Sequence, residues 1–245
     1  MGSGLVPLNT ATFGSLRLRD VTPESTAELK AAAGEMEILR MKMLGQGNDG
    51  YNLAGDVVKE FNGVILGFNS ANVMFAFEKQ QDVPAGDKNL PICFSWDGIT
   101  PESSSPKKAA EKCQDCPMNT YGTVAKGRGK RCKNMKRVWV LPEDSFLPLL
   151  WSIPPSSLKV FGQFVTKIMA RGLRYSRVVV HFKTRIETAG ENKISIPELE
   201  AAGVIDVKDV KVLLLLDTIK GVLVPVMKQK SEGRVLAQEY DDATR

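Results

Sequence analysis

A chain of 245 residues, 43% of them hydrophobic, can fill one large domain or two small ones with an ordinary core. Its 33 Lys and Arg against 28 Asp and Glu leave a formal charge of only +5, so any basic surface is local, which suits a groove better than a uniformly basic tail. The apolar runs are too short to cross a bilayer: the longest, Val212 to Leu216 and Gly221 to Val226, are separated by Asp217 and Lys220.

Residues 1–20 mix Gly, Ser, Thr and Asn with few apolar anchors and read as a flexible arm that orders on a partner. Met1 to Pro7 carry neither a basic stretch nor a long apolar one, so no secretory leader and no oxidising compartment are expected. Thr22 as N-cap and Pro23 at the first helical position open a short helix through Ala27 to Ala33, which Gly34 stops. Glu35 to Leu44 is strand-like, and Gly45 to Gly50 is a loop by composition. Two strands are expected next, Phe61 to Phe68 and Asn72 to Glu78, joined by a turn at Asn69-Ser70-Ala71. In the second, Val73, Phe75 and Phe77 alternate with Asn72, Met74, Ala76 and Glu78, so one face should be buried. Asp82 to Lys88 is a linker.

The stretch 93–137 holds all four cysteines, Cys93, Cys113, Cys116 and Cys132, with a CxxC at Cys113 to Cys116. One CxxC is a weak signal, but two more cysteines at loop-closing distances point to a four-thiolate site for Zn²⁺. The intervening residues, such as Ser103, Ser104, Ser105, Gly122, Gly127 and Gly129, supply almost no core, so a metal would replace the missing interior. An iron–sulfur cluster uses the same ligands, and disulfides or free thiols are the remaining readings. With four thiolates a zinc site is closed and structural, not hydrolytic.

From Pro117 to Val140 there is no acid, while Lys126, Arg128, Lys130, Arg131, Lys133, Lys136 and Arg137 crowd around Cys132. Some of these cations offset thiolate charge. The alternation of cation and glycine in Lys126 to Arg131 would also let a phosphate backbone approach closely.

Val138 to Leu141 reads as a strand ended by Pro142. After Pro154-Pro155 a helix runs to Arg171, closed by Gly172, with Leu158, Phe161, Val165, Ile168 and Met169 on its inner stripe. In the strand Tyr175 to Glu187, Val178, Val180, Phe182 and Ile186 alternate with Arg177, His181, Lys183 and Arg185, giving one oily and one basic face. His181, the single histidine, reads as a polar residue of that face without a catalytic partner. A turn at Ala189 to Asn192 leads into a strand from Lys193 to Leu199 or beyond. A helix over Asp206 to Lys220 then turns Val207, Val210, Leu213, Leu214 and Ile219 inward, ahead of a polar tail with Tyr240-Asp241-Asp242.

This order predicts a mixed β/α fold: an oligonucleotide/oligosaccharide-binding (OB)-like five-stranded barrel, with a Cys₄ zinc-binding insertion and flanking helices. The divisions are a flexible arm at 1–20, the first part of the barrel with its helix at 21–92, the insertion at 93–137, the second part at 138–203, and a helix and tail at 204–245. Stacking planes for bases would come from Trp96, Tyr121, Trp139 or Tyr175, with Trp139 equally suited to the core.

Ile92-Cys93, Trp96-Asp97-Gly98, Cys113 to Pro117, Tyr121-Gly122, Gly127 to Cys132 and Pro154 to Lys159 together resemble bacteriophage and prophage zinc-containing single-stranded-DNA-binding proteins. The resemblance covers roughly Phe61 to Phe182. It implies an OB-fold core, a role in phage-type replication or recombination, and a place in the cytoplasm of a bacterial host. The expected ligand is single-stranded DNA, with RNA second, and self-association or replication and recombination proteins as further partners. The residues expected at the nucleic acid are Lys126, Arg128, Lys130, Arg131, Lys136, Arg137, Arg177, Lys183, Arg185, Trp96, Tyr121 and Tyr175. The other function considered is a structural or protein-interaction module, in phage assembly or host interference, with the same structural zinc. No motif offers paired carboxylates on a metal, an activated nucleophile or a P-loop, so an enzyme is not expected.

Overall fold

The computed structural model describes residues 10–11, 27–28, 31–33, 35–45, 48–78, 82–85, 87, 89–125, 127–189 and 192–228. The arm apart from Thr10–Ala11, the Thr22-Pro23 cap, Gly34, Lys126, the tip of the 189–192 turn and the acidic tail fall outside them. The fold is mixed α/β. Its strands are β1 (Thr10–Ala11), β2 (Arg40–Met43), β3 (Tyr51–Leu53), β4 (Asp56–Val58), β5 (Phe61–Phe75), β6 (Pro91–Ser95), β7 (Lys133–Pro142), β8 (Leu149–Ile153), β9 (Val178–Ala189) and β10 (Asn192–Ile205). Among the described residues the longer helices are α1 (Leu158–Ala170) and α2 (Val210–Thr218), the latter continued by a π-turn at Ile219–Leu223 and a last helical stretch at 224–228, and residues 27–28 and 31–33 are helical as expected.

The sheet follows the path β1-β10-β9-β5-β7-β8-β2-β3-β4, with β6 added to β5. It is antiparallel except where β1 meets β10 and β2 meets β8. α1 joins β8 to β9. The far strands fold back over the middle of the sheet: the Tyr51 hydroxyl on β3 donates to the Lys183 carbonyl on β9 at 2.7 Å, and Gly50 N–H donates to Thr184 Oγ1 at 2.7 Å. The sheet is therefore strongly curled.

Inside the curl Tyr51, Ile65, Val138, Val140, Trp151, Val180 and Phe182 pack with Phe161, Phe164, Val165 and Ile168 of α1. Tyr51 meets Phe61, Trp151 and Phe182 edge-on at 5.4, 6.3 and 6.4 Å between ring centroids. Each such pair adds about 0.5–1.5 kcal/mol beyond its buried area. The outer face carries Val64, Leu66, Trp139, Leu141, Leu150 and Val179, covered by the C-terminal helix through Val212, Leu215, Leu216, Ile219 and Leu223. Apolar cover on both faces explains why Val178-Val179-Val180 shows no alternation.

Several expectations are corrected. The turn at Asn69-Ser70-Ala71 is absent: these residues pair with Arg137, Lys136 and Met135 inside the continuous β5, whose register shifts between Ile65 and Gly67. Their turn propensity is overridden because the ladder to β7 runs unbroken through them, and Asn69 donates sideways to the Trp96 carbonyl at 2.7 Å. On α1 the stripe is Phe161, Phe164, Val165 and Ile168, and Met169 is exposed. Gly172 (φ +70) ends the helix as expected, with Leu173 N–H donating to Ile168 O at 3.3 Å. Tyr175–Arg177 is a 3₁₀ turn before β9, and Ile186 is exposed.

Val207, ahead of the last helix, and Val210 and Leu214 within it are exposed. Its N-cap is Asp209, which accepts from Val212 N–H at 3.3 Å, so the helix starts later and its phase differs from the one expected. Two hairpin strands, β3 and β4, and the strands β6 and β8 had no counterpart in the sequence reading. A small separate core joins the insertion to the end of β5: Val73 and Phe75 of β5 with Trp96, Met135 and Phe94.

Candidate metal centre and nucleic-acid interface

Cys93 lies on β6, opposite Met74 of β5. Cys113 opens a 3₁₀ turn in which Cys116 N–H donates to Cys113 O at 3.4 Å. Cys132 immediately precedes β7, and its N–H donates to Met118 O at 2.9 Å. The chain thus returns three times to one place, where all four cysteines line a cavity of about 10 Å³ with Asn72, Phe94, Pro101, Ala109 and Ala110. That space admits roughly one water-sized sphere.

All four cysteines are free thiols, three of them buried. Burial pushes the Cys132 thiol up to about 12, helped by Cys113, Cys116 and Cys93 beside it. Burial likewise raises Cys93. Among the described residues no group of three or more His, Cys, Asp or Glu donors stands in metal-holding geometry. The sulfurs share a wall without closing on one point. Each Sγ is one rotatable bond from its backbone, so the shared cavity is the more telling observation.

A turn at Asp97-Gly98 fastens this loop to β5. Asp97 Oδ1 accepts from Ile99 N–H at 2.7 Å, Thr100 N–H at 3.0 Å and Ser95 Oγ at 2.8 Å. The Thr100 amide is the largest cause holding its carboxyl below the usual range. At Gly98 (φ +74) a Cβ would stand 2.8 Å from the Ser70 Cβ, and Asn72 Nδ2 donates to the Gly98 carbonyl at 3.0 Å.

Five of the cations around Cys132 divide into two sets. Arg131 is structural: it pairs with Glu78 at 3.5 Å and donates to the Phe75 and Ala76 carbonyls. Glu78 also accepts from Ala125 N–H at 3.0 Å. Arg137 is 1% exposed, with its guanidinium 4.6 Å from the centroid of Trp96, itself 5% exposed. Arg137 and Trp96, expected at the nucleic acid, are therefore core residues, as is Trp139.

Lys130, Lys136 and Arg128 form the second set. The Lys130 amine donates to Asn134 Oδ1 at 3.0 Å and Asn119 Oδ1 at 3.3 Å, and lies 4.9 Å from the ring centroid of Tyr121, which is 80% exposed. Lys136 donates to Ser70 Oγ at 2.7 Å and stands 5.7 Å from the Phe68 ring centroid. Phe68 in turn meets Tyr175 at 5.2 Å. Cations and aromatic rings thus form a row from the cysteine cavity along β5 and β7 to Tyr175. Arg128 is exposed in the loop beside it.

The β9 face does not carry the unmatched charge expected of it. Lys183 is 3.8 Å from Glu200, and Arg185 is 2.6 Å from Glu187 and 3.6 Å from Glu198. β10 supplies most of these acids, which the alternation within β9 alone could not reveal. His181 has a carboxylate partner after all, Glu60 at 3.4 Å, with Asn62 Oδ1 2.8 Å from Nδ1. Arg177 stays partly exposed near Tyr175.

The sequence reading missed Phe68, Ser70 and the linked amides Asn72, Asn119 and Asn134, where Asn134 Nδ2 donates to Asn72 Oδ1 at 2.6 Å and Asn119 Oδ1 at 3.0 Å. Asn72 and Asn134 face each other across β5 and β7, a pairing hidden by the expected turn. Among the described residues no helix is long and apolar enough to cross a membrane. No family model, no curated protein and no solved structure matches the chain.

Proposed function

We propose that the protein binds single-stranded nucleic acid, DNA in the first instance, along the row from Tyr121 and Lys130 through Lys136 and Phe68 to Tyr175. That row carries the reading. Sequence-tolerant single-strand binding needs alternating cations for phosphates and aromatic faces for bases, worth about 1–3 kcal/mol per stacked base. The amides of Asn119 and Asn134 pre-position the Lys130 amine, so less side-chain freedom is lost on binding.

Strand order supports an OB-type barrel beneath this row. β5, β7, β8, β9 and β10 run in the order β10-β9-β5-β7-β8, with α1 between the third and fourth strands. That order is the one an OB barrel would have, with a long first strand; here β8 continues into β2, β3 and β4 where an OB barrel would close on its fifth strand. The insertion occupies the loop between the first two strands, one of the loops OB folds use for ligands.

The donor set and the single-atom cavity fit Zn²⁺ held by Cys93, Cys113, Cys116 and Cys132. Bound there, zinc would act as a structural crosslink between β6, the CxxC turn and β7. The residues of the chain then do the binding. A replication or recombination role follows from single-strand affinity.

The test is a titration of labelled single-stranded DNA, duplex DNA and RNA at several salt concentrations. Tight, salt-sensitive binding to single strands is expected. Absence of binding to all three would favour the interaction-module reading instead.

A further inference from the structure

A second concavity lies where α1 ends, the Tyr175–Arg177 turn begins and the C-terminal helix passes, with a volume of about 310 Å³. This is at the lower end of small-molecule pockets. Its inner wall is apolar, from Leu66, Leu173, Leu213 and Leu216. Arg174, Arg177 and Lys220 stand on its walls against a single carboxylate, Asp217. Among the described residues none of these three cations enters an ion pair, whereas Lys183 and Arg185 on β9 are matched by glutamates. The π-turn at Ile219–Leu223 brings a distorted helical segment, including Lys220, to the cavity. Such distortions concentrate at functional sites.

We propose that this cavity takes one phosphorylated nucleoside unit. Its ring partner is Tyr175, which lines the cavity while meeting Phe68 at 5.2 Å, so the site continues the row described above. Arg174, Arg177 and Lys220 neutralise the phosphate, the apolar wall covers the base or sugar, and Asp217 accepts from a sugar hydroxyl. An excess of two positive charges, beside an aromatic plane and within a volume of one nucleotide, selects this class over a neutral apolar ligand.

The unit can come from a free mononucleotide or from the phosphorylated end of a bound strand, and the second source rests on the single-strand reading. Equilibrium binding to the full chain is measured for thymidine 5′-monophosphate, thymidine and inorganic phosphate, and for oligothymidylate with and without a 5′-phosphate. Arg174 and Lys220 are both exposed, so the variant Arg174→Glu/Lys220→Glu should keep the wild-type melting temperature.

The monophosphate should bind, thymidine should not, and the double variant should weaken monophosphate binding by about tenfold or more. If the source is a strand end, the 5′-phosphate should also tighten oligonucleotide binding, and only in the wild type. Equal competition by inorganic phosphate, or equal binding of monophosphate by the variant, would overturn the assignment. Oligonucleotide binding with no monophosphate or 5′-phosphate effect would sink the pocket and leave the single-strand reading standing. Monophosphate binding without oligonucleotide binding would do the reverse.

Discussion

Replacing Lys130 and Lys136 together by Gln separates contact cations from structural ones. Both amines lie beside aromatic rings and bond only to polar side chains, at 2.7–3.3 Å, so removing them leaves the strand pairing of β5 and β7 intact. If each neutralises one phosphate, the slope of log K against log salt should flatten by about 0.7 per lysine, or roughly 1.4 for the pair. At low salt, affinity should fall on the order of tenfold. Arg131→Gln is the contrast: it breaks the Glu78 contact and the bonds to Phe75 and Ala76, so it should lower stability with the slope unchanged. Fluorescence anisotropy with a labelled oligothymidylate from about 50 to 200 mM salt reads the slope, and urea unfolding reads stability. An unchanged slope in the lysine double variant, or a flattened one in Arg131→Gln, would refute the division.

Elemental analysis should find about one zinc per chain, and Cys116→Ser or Cys132→Ser should lose it. Chelation should expose residues 93–132 to proteolysis while the core of the curled sheet stays folded, because that core packs without the insertion. Tyr51→Phe removes the hydroxyl that ties β3 to β9 and should cost about 1–3 kcal/mol in urea unfolding, with oligonucleotide affinity unchanged. Asp97 has a depressed pKa in the folded state, so its contribution is present above the unfolded carboxylate value near ~4 and is lost as pH falls through the folded one. Stability measured through that acid range should drop less steeply in Asp97→Asn, which keeps an acceptor oxygen without the titration.

Elements with one clear period were legible from the residues alone. α1 showed its stripe and its Gly172 stop, and the strand around Val138 showed its apolar run. β5 was not legible, because Asn69-Ser70-Ala71 carries turn chemistry and only its pairing with β7 there holds it extended. The phase of α2 was ambiguous because Leu213 to Leu216 is apolar all round, and the Asp209 cap decides it.

At the site, the spacing of the cysteines drew attention to residues that do share one cavity. Which cations face solvent was hidden, since that depends on Glu78 and Trp96 for Arg131 and Arg137, and on β10 for the charges of β9. The unmatched cations near Tyr175 were invisible for the same reason: three of the elements around them meet only in the fold.

The central claim is the position of the strand. Photo-crosslinking of an oligonucleotide bearing 5-iodouracil, followed by peptide mapping, tests it most directly. Crosslinks to peptides containing Tyr121, Phe68 and Tyr175 are expected. Crosslinks confined to the β9–β10 face around Arg185 and Glu198, or none at saturating protein, would contradict it.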